Sequence, residues 1–351
     1  MNTQPLISIC IPTYNGAEYL SQAIESALRQ TFKDVEILIV DDCSTDNTLE
    51  LAQKFAQGDP RVKVFKNEQN LGLVGNWNKC VTMAQGTWIK FLFQDDYLAP
   101  TCLEEMMKSS ANQMLVIANR SYVFEKGISK KDKMDYRKLE RQFNFSTICK
   151  GVSQLNSEHF SKIIARYPGI NIWGEPTSML IHKDAFEKLG YFNALFKQTC
   201  DYEFWTRIGT NQGVSLVHQN LIYFRVHGKS TTMSNHEVKS YFVHFYDFFA
   251  LIDKYCNAPE YENYRKHVGN QLPFFVDYEL ARHSQNLKKW QSSNSSFTQT
   301  LINDFPAFGK YFFNPAKELL RTQFALLSTY PLVFLSMVIG KLRSELQKLI
   351  R

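Results

Sequence analysis

Three short stretches hold the residue types that do chemistry. The first is FLFQDDYL at 91–98, where an apolar run ends in the adjacent carboxylates Asp95 and Asp96. Carboxylates are seldom fully buried unless paired or bound to a metal. A strand ending this way is therefore either the rim of a site that holds a cation or a strand running into a polar turn. The second stretch, DDCSTDN at 41–47, follows another apolar run, VEILIV. The third, CDYEFWTRIG at 200–209, reads as a helix with Asp201 and Glu203 at its start, where carboxylates suit the helix dipole whether or not they react.

Each stretch is weak alone, so the elements that position them must decide. LISICI (6–11), VEILIV (35–40), VKVF (62–65) and WIKFLF (88–93) have the length and β-branched composition of strands. Between them, AEYLSQAIESALRQ (17–30) and TDNTLELAQKFAQ (45–57) carry helical apolar stripes, and Asn15 with Glu18 resembles a capping box. Strands alternating with helices predict an α/β fold, a doubly wound and mostly parallel sheet with helices on both faces. In such sheets ligands bind beyond the carboxyl ends of the strands. That rule brings PTYNG after Ile11, DDCSTDN after Val40 and QDDYLAP after Phe93 to one rim. Residues 125–162 are polar and charged and read as an exposed insertion or lid outside the core, whereas 237–351 read as mainly helical and aromatic.

The chain has 351 residues, 44% of them hydrophobic and 21% charged, which is ordinary for a globular protein. A formal charge of +6 favours anionic ligands such as nucleotide phosphates or an acidic membrane surface. No compact Lys/Arg run, zinc-finger spacing or RNP-like motif accompanies it, so nucleic acid is not an expected partner. Seven scattered cysteines without a CxxC pair argue against a disulfide framework and for a reducing cytosol, and no secretory signal is visible at the N-terminus. Residues 322–340 are uncharged and lie between Arg321 and Lys341, but Pro331 and several hydroxyl residues interrupt them. They read either as a buried helix or as an in-plane membrane anchor beside the basic Lys341, Arg343, Lys348 and Arg351. The expectation is a cytoplasmic protein, peripheral on the inner face of the membrane if 322–351 is the anchor and not a helix packed on the domain.

Taken in order, SICIPTYNG (8–16), EILIVDDCSTDNT (36–48), NLG (70–72), GTWIKFLFQDDYLAP (86–100) and CDYEFWTRI (200–208) resemble the family 2 glycosyltransferases, inverting sugar-nucleotide enzymes of the GT-A fold. The resemblance covers roughly residues 5–230. It implies a glycosyltransferase domain over 1–230, with a nucleotide-binding half at 1–120 and an acceptor-binding half at 121–230, followed by a helical C-terminal region at 231–351.

The same resemblance implies roles for single residues. Asp96 is the first choice for the ligand of a Mg or Mn ion, with Asp95 sharing the metal or turned to the ribose. Pro12, Thr13 and Tyr14 shape the base pocket, Asp42 contacts uracil or ribose, and Asn70 and Gly72 mark a turn near the nucleotide. Asp201 is the base that deprotonates the acceptor hydroxyl, with Glu203 second. His227, with Arg225, lies near the diphosphate, and Trp173, Gly174 and Glu175 border the acceptor pocket. Three departures stand out: Phe93 and Gln94 replace the first half of the usual DSDD, NWN (76–78) replaces the usual ARN, and Cys200 replaces the glutamate of the usual ED pair. The implied reaction is inverting transfer from a UDP-sugar to a glycan or lipid-linked oligosaccharide in cell-surface polysaccharide synthesis. Its alternatives are a non-catalytic sugar or nucleotide binder of the same fold, and a nucleotidyltransferase. The latter needs a glycine- and lysine-rich phosphate loop that PTYNGAEYL does not supply.

Overall fold

The computed structural model describes residues 4–228 except 111 and 168, residues 241–269, and beyond these 276–277, 280–281, 284, 295–308 and 318. The uncharged run 322–340 lies outside the described residues. Among the described residues no helix is long and apolar enough to cross a membrane.

The first strands lie where the apolar runs predict: β1 Ile7–Thr13, β2 Val35–Asp41, β3 Val62–Lys66 and β4 Trp88–Phe91. Both faces of β1 and β2 are buried, and successive side chains go to opposite sides. Ile7, Ile9, Ile11, Ile37 and Ile39 enter one apolar cluster, while Cys10, Leu38 and Val40 enter the other. This two-sided burial is why the strands read as continuous hydrophobic runs. Helices α1 (Leu20–Leu28) and α4 (Cys102–Lys108) supply the first cluster, and α3 (Gly72–Met83) supplies the second. Helix α2 spans Thr48–Gly58. The remaining strands are β5 Tyr97–Leu98, β6 Leu115–Phe124, β7 Gln154–Leu155, β8 Met179–His182 and β9 Val214–Val226.

The order across the sheet is β3-β2-β1-β4-β8-β6-β9-β5, with β7 on β9. Strands β1 to β4 pair in parallel, β8 lies antiparallel between β4 and β6, and β9 returns parallel to β6. Hence β1, β2, β3, β4, β6 and β9 point one way, and β5, β7 and β8 the other. The sheet is therefore mixed rather than mostly parallel. Because β8 runs backwards, the segment that precedes it lies at the same rim as the carboxyl ends of its neighbours.

Two local expectations fail. The Asn15/Glu18 capping box does not form: α1 begins at Leu20 with Tyr19 as an N-cap that makes no side-chain cap bond. Asn15 instead adopts φ 48°, and its side-chain carbonyl accepts the Thr45 N–H at 2.8 Å. Nor is 125–162 an exposed insertion throughout. It contains α5 (Lys130–Gln142) on the surface, then α6 (Phe145–Ile148) and α7 (Ser157–Arg166) with Phe145 and Phe160 fully buried. Charge density hid two aromatic anchors that only a partner surface reveals.

Helix α8 (Lys183–Leu189) follows β8, and α9 (Cys200–Gln212) precedes β9. Helices α10 (Tyr241–Asn257), α11 (Glu262–Val268) and α12 (Ser295–Asp304) follow the sheet. Phe248, Phe249, Ile252, Tyr255 and Tyr261 share one apolar cluster with Phe91, Ile117 and Leu216 of the sheet. Each such fully buried side chain contributes about 1.5–3 kcal/mol.

Candidate active site

The turn that follows β4 separates Asp95 from Asp96. Asp96 is 1% exposed; its Oδ2 accepts the Thr177 hydroxyl at 2.6 Å and its Oδ1 the Arg225 N–H at 3.0 Å. Burial, then the neighbouring charge of Asp95, pushes its pKa well above the usual carboxylate range. Asp96 is thus a tie between β4, β9 and the segment before β8, which corrects its expected place as the outward metal ligand. Asp95 is the one that faces the rim: its side chain is a quarter exposed, and its Oδ2 lies 3.0 Å from Nε2 of His227. The His227 ring leans on Tyr19 at 4.8 Å, and its Nδ1 is buried without a partner.

Arg225 holds this corner together. Its Nε donates to the Asp95 carbonyl at 2.8 Å, its other nitrogens reach Glu125 and Gln22, and its guanidinium lies over the Tyr19 ring. It is saturated with structural partners, unlike His227.

A divalent ion fits the pair Asp95 and His227. Their 3.0 Å contact is a hydrogen bond in this structure, and a carboxylate and a neutral imidazole are both donor types that a divalent cation accepts. Among the described residues no cluster of three or more His, Cys, Asp or Glu forms a ready cage. The rest of the coordination sphere would come from water and phosphate oxygens, as is usual for Mg2+.

Asp201 sits in the first turn of α9, half-buried, with its Oδ1 accepting the Tyr202 N–H at 2.7 Å. Burial, followed by the charges of Glu175 and Asp247, raises its pKa to about 7 against the pull of that hydrogen bond. A carboxyl poised there is matched to proton abstraction near neutral pH. Glu203 does not join it. Two positions on, the helix turns it into the core, where it is 0% exposed, pairs with Arg207 at 2.9 Å and accepts the Tyr261 hydroxyl at 3.1 Å. Its expected catalytic role is corrected by that burial. Cys200 is also buried, which pushes its thiol pKa well up.

Between these ends lies Glu175, whose charge acts on both Asp96 and Asp201. Its Oε2 is 2.7 Å from Nε of Arg120, though off-line for a hydrogen bond. Arg120 was not singled out from the sequence. It sits in β6 where the register against β9 shifts, and such a bulge re-aims a side chain. Its Nη2 donates to the Tyr122 hydroxyl at 2.9 Å, while Nη1 is buried without a partner. Gly174 (φ 109°) leaves room for it, since a Cβ there would stand 2.8 Å from Nη1. Of the expected acceptor border Glu175 lies at the rim, but Trp173 is fully buried and stacked on Phe160 at 4.5 Å.

At the opposite end, Pro12 and Thr13 are buried and Tyr14 is 47% exposed. Gln94 grips the Tyr14 backbone from both sides, accepting its N–H at 3.0 Å and donating to its carbonyl at 3.1 Å. The loop passes so close that a Cβ at Gly16 would lie 2.1 Å from the Gln94 side chain. Asp42 is 3% exposed, and its carboxylate accepts from Asn67 Nδ2 and from the N–H groups of Leu71 and Gly72 at 2.8–2.9 Å. Asn70 closes the turn by donating to the Asp42 carbonyl at 2.9 Å. Asp42, Asn70 and Gly72 are thus one assembly. Beside it, Asp41 Oδ1 is buried without a partner, a group the sequence reading passed over.

Two departures from the family pattern meet. Trp77 and Phe93 lie with ring centroids 4.9 Å apart, and Phe192 packs edge-on against Trp77 at 5.3 Å. An apolar contact stands where the commoner pattern has arginine and aspartate.

The Glycosyl transferase family 2 model matches residues 8–190. An uncharacterized glycosyltransferase of Rickettsia typhi is 29% identical over 228 residues, covering 65% of this chain and 66% of that protein. The hyaluronan synthase of Pasteurella multocida is 40% identical over 125 residues, 34% of this chain but only 13% of the synthase. Among solved structures, S. aureus TarS 1-349 in complex with UDP-GlcNAc aligns with TM-score 0.55 at 16% identity, covering 95% of this chain and 92% of that one. The Pyrobaculum calidifontis mannosyltransferase in complex with GDP-Man and Mn2+ aligns with TM-score 0.52 at 14% identity, covering 94% and 88%. At these identities the likeness to the solved structures is one of fold.

Proposed function

This chain belongs to glycosyl transferase family 2, and from that premise we propose that it transfers a sugar, with inversion, from a nucleoside-diphosphate sugar to a hydroxyl of a glycan or lipid-linked acceptor. The observation that carries the reading is a half-buried carboxyl with a pKa of about 7, Asp201, sharing a rim with Asp95 and His227. The charge of Glu175 acts on Asp201 and on Asp96, the neighbour of Asp95.

In this reading Asp201 takes the proton of the acceptor hydroxyl as its oxygen attacks the anomeric carbon. The bond from that carbon to the diphosphate oxygen breaks on the opposite face, its electron pair leaves with the diphosphate, and configuration inverts. Asp95 and His227 hold Mg2+ or Mn2+, which when bound offsets the charge of the leaving diphosphate. The Asp42 assembly and the Tyr14 loop shape the nucleotide end. A UDP-sugar is the favoured donor, in keeping with the UDP-GlcNAc bound to the TarS relative. The uncharged run 322–340 and its basic flank support peripheral contact with a membrane that presents the acceptor.

The test is incubation with a panel of UDP- and GDP-sugars and oligosaccharide acceptors, with Mn2+ or with chelator, reading product and anomeric configuration by NMR. Transfer with inversion by the wild type and none by Asp201→Asn is the expected result. Tight nucleotide binding with no transfer to any acceptor, unchanged in Asp201→Asn, would favour a binding protein instead.

A further inference from the structure

We propose that Asp247 of α10 is the positioning residue for the base, a carboxylate that caps the start of α9 from outside and so aims Asp201. The inference rests on the reading of Asp201 as the base.

A helix N-terminus leaves N–H groups without intrahelical partners, which a side chain at the N-cap usually satisfies. Thr199 occupies the N-cap of α9 but makes no side-chain cap bond to its own helix. The Asp247 carboxylate instead holds the turn that leads into the helix, taking the N-cap N–H and the two before it. It accepts the N–H of Lys197 at 3.1 Å, of Gln198 at 2.7 Å and of Thr199 at 3.0 Å, together with the Thr199 hydroxyl at 3.2 Å. Asp247 is 0% exposed, and among the described residues no cation pairs with it. A buried carboxylate held only by converging N–H and O–H groups fixes those groups in place, because leaving any of them unpaired is costly. What it fixes is the segment 197–199, two residues ahead of Asp201.

Asp247 also acts on the base through its charge. Glu175 from the segment before β8 and Asp247 from α10 are the carboxylates that raise the Asp201 pKa, with Cys200 beside it on its own helix. The group that orients the base therefore also helps keep it able to bind a proton near neutrality. Asp247 lies beyond residues 8–190, the part matched by the family model. The aim of the base is thus set by the helical region that follows the sheet. That region braces α10 in turn, since the Tyr246 hydroxyl donates to Asp304 of α12 at 2.9 Å.

The experiment compares wild type, Asp247→Asn and Asp247→Glu in the full chain. It reads kcat, donor KM, the pH profile of kcat/KM, nucleotide affinity by calorimetry, and the Asp201 carboxyl and the 197–199 amides by NMR. Asp247→Asn removes a like charge, so protonation of Asp201 becomes less favourable and the acid limb moves to lower pH. Its kcat is expected to fall about 10- to 100-fold, the scale of a misaimed reacting group, with nucleotide affinity and donor KM unchanged. Asp247→Glu restores the pH limb. A thermal midpoint that drops while kcat per folded molecule and the acid limb stay at wild-type values would overturn the proposal. So would a 197–199 segment whose amides exchange as fast as an open loop in the wild type, a reading that holds even if Asp247→Asn does not fold. The NMR titration needs no turnover. If the wild type transfers no sugar, the reading of the site fails, whereas an Asp201 pKa insensitive to Asp247→Asn fails this inference alone.

Discussion

Two of the places where acids stand within two residues of each other flank the candidate site, and each separates the pair differently. At the end of β4, Asp95 stays at the rim and Asp96 goes inward to neutral partners, the Thr177 hydroxyl and the Arg225 N–H. At the start of α9, Asp201 stays at the rim and Glu203 goes inward to a cation, Arg207. The turn after β4, closed by the Asp96 N–H on the Phe93 carbonyl at 3.1 Å, sends the two neighbours apart, and the helix separates i and i+2 because they lie far round its circumference. In each pair the outward acid is free for chemistry because the inward one secures the element that carries it.

The sharpest way to break the comparison is at the outward helical acid. Asp201→Asn should lower kcat about 10²- to 10⁴-fold, the range of a lost general base, while calorimetry finds the nucleotide affinity intact. The wild-type acid limb of kcat/KM should fall near pH 7, the value held by Asp201. Linkage gives the companion sign. A carboxyl raised from 3.8 to about 7 on folding contributes stability that is complete below pH 4 and is lost as pH rises through 7. Asp201→Asn should therefore gain thermal stability over the wild type at pH 8 and not at pH 4.

The inward helical acid should answer in stability instead. Glu203→Ala leaves Arg207 buried without its partner and should cost about 3–5 kcal/mol in urea unfolding, with nucleotide affinity retained by the folded fraction. A loss below 1 kcal/mol would mean that Arg207 finds another partner.

The strand pair sharpens the contrast at smaller scale. Asp95→Ala should remove the metal-dependent part of nucleotide binding, measured with Mn2+ against chelator, and leave the thermal midpoint unchanged. Asp96→Ala should cost about 1–3 kcal/mol of stability for the groups it leaves unpaired. Equal metal dependence in the wild type and Asp95→Ala would return the ion to Asp96. The smallest effect belongs to the aromatic contact beside this strand. A double-mutant cycle of Trp77→Leu and Phe93→Leu should give a coupling of about 0.5–1.5 kcal/mol.

Much of this arrangement is legible in the chain. The apolar runs predict β1 to β4 within a few residues, and the segments expected at one rim do converge there. The misses share a cause. The capping box at Asn15 lost to a competing turn in which Asn15 binds Thr45 across the rim. The polar stretch 125–162 concealed Phe145 and Phe160, whose burial depends on Trp173. Arg120 was overlooked because one arginine in a strand has no local signature, and a register shift aims it.

The sequence by itself determined the alternation of strands and helices, the rim to which the acidic segments belong, and the family they resemble. Those follow from side-chain periodicity and from motif spacing, both carried by nearby residues. Only the tertiary structure decided which acid of each pair faces outward, that Asp95 rather than Asp96 stands beside His227, and that Asp247 holds the start of α9. Each of these rests on a contact between residues far apart in the chain, 129 positions for Arg225 with Asp96 and 48 for Thr199 with Asp247. The burial that shifts a carboxyl pKa and the N–H groups that orient it exist only once those distant segments are packed together.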